Sequence, residues 1–92
     1  MIDVKTAVSK AFEYIRELMP EAELKDLRLE EVEFDEEKEH WCVTLGFDTG
    51  KVVKRNSSPG GLFAETIQEP QRSYKELRID QESGKFISMK MM

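Results

Sequence analysis

The spacing of the apolar residues changes once along the chain, and that change constrains the fold more than any other feature. Val4, Ala7, Val8, Ala11, Phe12, Ile15, Leu18 and Met19 recur at steps of three and four, the period of one helical face. Lys5, Lys10, Glu13, Arg16 and Glu17 fill the other side. Asp3 stands where its carboxylate can accept from the free amides of a first turn, and Pro20 cannot continue a helix. The spacing predicts a helix over about residues 3–19, with Glu21 to Asp26 adding a short turn.

From Leu27 onward the period is two, the mark of strands. Leu27 and Leu29 alternate with charges, and Val32 and Phe34 do so in the opposite parity. One extra residue in a strand moves every later side chain to the other face, so the slip at Glu30-Glu31 predicts a β-bulge within a strand over about 27–34. After the acidic turn Asp35 to Glu39, residues 40–48 form the clearest strand. Trp41, Val43, Leu45 and Phe47 share one of its faces, and His40, Cys42, Thr44 and Asp48 share the other.

Residues 49–71 carry little sustained periodicity and contain Ser57-Ser58-Pro59-Gly60-Gly61, a turn signal. A long connection is expected there, with Lys51 to Arg55 extending the preceding strand raggedly. Strands over about 73–80 and 85–91 follow, with Tyr74 offset by a second bulge. Asp80-Gln81-Glu82-Ser83-Gly84-Lys85 reads as the hairpin between them. One apolar sheet face then needs a cover, and the N-terminal helix is the candidate. The expected fold is α+β: one domain, residues 1–92, with the helix packed on one face of a four-stranded antiparallel meander sheet.

The helix face from Ala7 to Ile15, the strand His40–Phe47, and Tyr74 to Asp80 running into Ser83-Gly84-Lys85 resemble the PepSY family, and more loosely the cystatins. The resemblance covers most of the chain outside residues 49–71 and rests locally on the Asp-x-x-Ser-Gly-Lys hairpin. It implies a small helix-on-sheet domain that binds proteins or inhibits peptidases without catalysis of its own.

Charge narrows the partners. The formal net charge is −5, and residues 1–40 hold 13 Asp/Glu against 6 Lys/Arg, whereas residues 41–92 hold 6 against 8. An acidic field repels phosphate backbones, which argues against nucleic acid and favours a basic partner or the opposite end of another copy. Cys42 is the single cysteine, and Met1 to Lys5 leads straight into the amphipathic pattern, so a cytoplasmic protein with no membrane partner is expected.

Several constellations bear on chemistry. Asp48-Thr49-Gly50 matches the tripeptide of aspartic proteases, but a strand-ending turn explains it with less. His40 and Cys42 point the same way from one strand, yet a closed zinc site needs four ligands, and nearby acids (Glu37, Glu39, Asp48) oppose a thiolate. Lys51, Lys54 and Arg55 before Ser-Ser-Pro-Gly-Gly lack the glycine and lysine spacing of a phosphate loop. No catalytic residue, metal or cofactor is therefore assigned. The expectation is a non-catalytic interaction or regulatory module. Its partner-binding residues would be Lys51, Lys54, Arg55, Leu62 and Phe63, and His40, Cys42, Tyr74, Glu76 and Arg78 would form a second site on the open sheet face. The alternatives are a small-ligand binder or enzyme with a site between helix and sheet or at a dimer interface, and a homodimer through a sheet edge.

Overall fold

A computed structural model of the chain describes residues 1–56 and 66–91, the side chains of 53–56 and 66–70 excepted. A single helix, α1 (Val4–Leu18), precedes a short 3-10 turn at Glu21–Glu23 and four strands: β1 (Lys25–Asp35), β2 (His40–Asn56), β3 (Thr66–Asp80) and β4 (Phe86–Met91). The strands are antiparallel neighbours in chain order, so the fold is the expected α+β meander with one helix.

Local chemistry sets the ends of α1. Asp3 is extended, and its Oδ1 accepts from the Thr6 amide at 2.8 Å. Met19 leaves the helix as an extended residue ahead of Pro20. Ala7, Ala11 and Ile15 are the buried stripe, and two alanines in it let the helix approach the sheet closely.

The β1 bulge lies where the parity slip placed it. Leu29 opposes Leu45, Val32 opposes Val43, and the register shifts between Leu29 and Glu31. Leu29, Val32 and Phe34 therefore all point to the helix side despite their opposite parity in sequence. At the other end of the sheet, Asp80 Oδ2 accepts from Ser83 N (2.8 Å), Ser83 Oγ (2.8 Å) and Glu82 N (3.2 Å), and Gly84 takes φ +73°.

Two expectations need correction. Lys51 to Arg55 do extend β2, as expected, but β3 begins at Thr66 rather than at residue 73, and the two strands stay paired from Val52 opposite Pro70 to Asn56 opposite Thr66 instead of being joined by an irregular connection from 49 to 71. The sequence hid this because Asp48-Thr49-Gly50 is a bulge inside β2 rather than its end. Asp48 Oδ1 accepts from Gly50 N at 2.8 Å, Gly50 adopts φ +82°, and the register shifts between Asp48 and Val52. The expected bulge at Tyr74 is absent, since the β2–β3 ladder is regular from Arg72 to Asp80. Tyr74 lies opposite Gly46 on the face away from the helix, and the irregularity sits between β3 and β4 at Arg78/Ile79.

The core is the meeting of α1 with the two central strands. Ala11, Ile15, Val43, Leu45, Phe47, Leu77 and Ile79 form it, with Phe12, Tyr14, Trp41, Phe86 and Met89 packed around. Hydrogen bonds fasten the N-terminus across its end: Ile2 N donates to Gln81 O at 2.7 Å, and Trp41 Nε1 donates to Ile2 O at 3.3 Å.

Candidate interaction surface

The sheet face away from the helix carries the residues expected to form an open-face site. Across β2 and β3, His40 opposes Asp80, Cys42 opposes Arg78, Thr44 opposes Glu76, and Gly46 opposes Tyr74. All five expected residues thus share that face, in two adjacent rows. Their charges are already matched within the chain. Arg78 donates from Nη1 to Asp35 Oδ2 and from Nε to Glu76 Oε1, both at 3.1 Å. Arg72 reaches Asp26 Oδ2 at 3.3 Å and Glu30 Oε1 at 3.4 Å, while Arg28 pairs with Asp26.

Beneath this ionic lattice Cys42 and Thr44 are buried. Burial pushes the Cys42 thiol above its ordinary range, and the Arg78 cation only partly offsets it against Glu76, Asp35 and Glu33. These acids come from neighbouring strands, not from the chain segments beside Cys42. His40 Nδ1 is buried without a hydrogen-bond partner among the described residues. No three His, Cys, Asp or Glu side chains among the described residues are arranged to hold a metal ion, and no described helix is long and apolar enough to cross a membrane.

The expected partner-binding residues fall elsewhere. Lys51 follows the β2 bulge and borders a hollow with Glu23, Phe47 and Thr49. Lys54 and Arg55 are β2 backbone positions opposite Gln68 and Ile67. Leu62 and Phe63, like the side chains of Lys54 and Arg55, lie outside the described residues.

A different surface emerges from the cover that α1 provides. A helix is about 10 Å wide, and four strands about 4.8 Å apart make a broader sheet. Every buried strand residue in the described chain lies on β2 or β3. The helix side of β1 is left partly open as a groove of about 380 Å³, lined by Val4, Lys5, Val8, Ser9, Leu29 and Val32. Val4 and Leu29 are exposed, at 40% and 43%. β1 is also an edge strand, so its outer backbone groups meet no other described strand. Its opposite face carries exposed Glu31 and Glu33, which make no ion pair among the described residues.

By spacing alone Val4, Val8, Leu29 and Val32 all belong to the core; Val8 and Val32 do pack against it, half-buried, whereas Val4 and Leu29 are exposed. The missing signal is the lateral reach of the helix across the sheet: an apolar face is buried only if the covering element reaches it. Comparison with protein families, with curated proteins and with solved structures found nothing that matches the chain.

Proposed function

We propose that the protein is a non-catalytic interaction module that takes up a polypeptide segment along the β1 edge and the α1–β1 groove. The observation that carries this is the coincidence, on the same element, of an apolar groove and a strand edge that no other described strand pairs with. An extended segment added to an edge strand gains main-chain hydrogen bonds, and alternate side chains fill the adjoining groove. The ionic lattice of the opposite face, with its arginines already paired, supports the groove as the more available surface.

Val8→Glu and Leu29→Glu place charge in the groove at a half-buried and an exposed position, and Leu29 is not among the residues packed on the core. Each is expected to abolish capture of polypeptide partners that wild type retains, with unchanged circular dichroism. Retention of every partner by both folded variants would overturn the assignment. A saturable thermal shift with a small apolar molecule, lost in both variants, would instead make the groove a ligand site.

A further inference from the structure

On that interaction reading, we infer that the segment taken up by the β1 edge is β4 of a second copy of this chain, so that copies add edge to edge in a continuing sheet. The two outer strands are chemically complementary on both faces. On the helix side β1 presents Leu29 and Val32 beside Val4 and Val8. On the same side β4 presents Met89, opposite Leu77, and Met91, opposite Lys75 and 76% exposed. On the other side β1 presents Glu31 and Glu33, whereas β4 presents Ser88 and exposed Lys90, which makes no ion pair among the described residues.

Strand direction permits the join. Consecutive strands alternate in direction across the sheet, so β4 of one copy and β1 of a copy translated alongside it run antiparallel. Translation keeps both helices on one side. Met89 and Met91 then meet the groove, and Lys90 meets the glutamates at the ~5 Å spacing of cross-strand neighbours. Pairing of β1 with another β1 would instead set Glu31 and Glu33 against the same carboxylates, which opposes it. The charge halves agree: residues 1–40 carry the acidic excess and residues 41–92 the basic one. A join through one strand pair is small, which places it among weak, concentration-dependent contacts, and its head-to-tail character allows more than two copies.

The test is sedimentation of the full chain over a concentration series from about 10 to about 500 µM, a range suited to a weak join. Wild type is expected to rise in average mass, E31K/E33K alone and K90E alone to remain monomeric, and their equimolar mixture to associate again. The mixture regains both junctions. The β4 of K90E meets the β1 of E31K/E33K with both charges reversed, and the β4 of E31K/E33K, which keeps Lys90, meets the glutamates that K90E keeps. Wild type that stays monomeric throughout, or variants that associate like wild type, would overturn the inference. In the first case, a foreign partner still lost from Val8→Glu and Leu29→Glu would leave the interaction module standing without self-association. Loss of neither would overturn both.

Discussion

Glu30 lies over Gly46: a Cβ built on Gly46 would stand 2.6 Å from Glu30 Oε1 and 2.9 Å from Glu30 Cγ. The carboxylate held there is one that Arg72 reaches at 3.4 Å, so the bare backbone of Gly46 makes room for a bridge from β1 to β3 across β2. Gly46→Ala must displace Glu30 and is expected to destabilise the fold by about 1 kcal/mol, the strain exceeding the usual entropic gain of alanine over glycine. Glu30→Ala in the same chain removes the clash. Chemical denaturation of the two single variants and the double should show the alanine at 46 becoming neutral or stabilising once Glu30 is gone.

Asp3, Asp26, Asp35 and Asp80 all hold their protons less tightly than the ordinary aspartate value of 3.8. The first cause differs: Thr6, through its side chain and then its amide, for Asp3; Arg28 for Asp26; the Lys38 amide and then Arg78 for Asp35; and the Ser83 amide for Asp80. A carboxylate with a depressed folded pKa contributes stability that is present above its unfolded value and is lost as pH falls through the folded one. The urea midpoint is therefore expected to be flat near neutrality and to fall below about pH 4. Asp80→Asn should flatten part of that acid slope.

Gly84 combines φ +73° with a buried position, and a Cβ there would meet Ile2 and Lys10 only at 3.7 Å. Space is available, so the cost of Gly84→Ala comes from the backbone conformation alone, about 1–2 kcal/mol. Thermal unfolding should register the loss. Gly84→Asn, which tolerates the left-handed region better, should lose less.

Ile15 is fully buried, and Leu18, one turn further along the same helix, is 51% exposed. Ile15→Ala is expected to cost about 3 kcal/mol and Leu18→Ala under about 0.5 kcal/mol, because only the first leaves a cavity. Equal losses in urea titrations would mean that α1 docks through a different face.

Cys42 is 3% exposed, and burial raises its thiol pKa above the ordinary 9.0. Thiolate, the reactive form, is thus scarce and shielded. A disulfide reagent at pH 8 should label native protein slowly and urea-unfolded protein at the rate of a free cysteine. Fast labelling of the native state would place the side chain at the surface.

The helix and its ends, the bulge near Glu30, the β2 core row Trp41, Val43, Leu45 and Phe47, and the Asp80–Gly84 hairpin are all legible in the sequence. Each depends on residues adjacent along the chain: a cap two or three positions away, an alternation, a turn glycine. The continuation of β2 is legible only as a ragged extension over Lys51 to Arg55, because Asp48-Thr49-Gly50 looks like an ending and only the partner strand from Thr66 makes it a bulge. Parity puts the expected open-face residues on one face, as the β2–β3 ladder does, but parity says nothing of the charges that meet them. Asp35 comes to Arg78 from β1, and Asp26 and Glu30 come to Arg72, across separations of more than 40 residues.

What the sequence determined by itself is the kind of layer the chain makes: one amphipathic helix and a sheet with one apolar face, since periodicity assigns each side chain to a side. Which apolar residues that layer buries was decided only by tertiary structure. Leu29 and Leu45 are the same residue on directly opposed positions of the same face, yet Leu45 is fully buried and Leu29 is 43% exposed. The difference is lateral: a single helix about 10 Å wide covers the central strands and stops short of β1. No local pattern encodes that distance, and it leaves the groove.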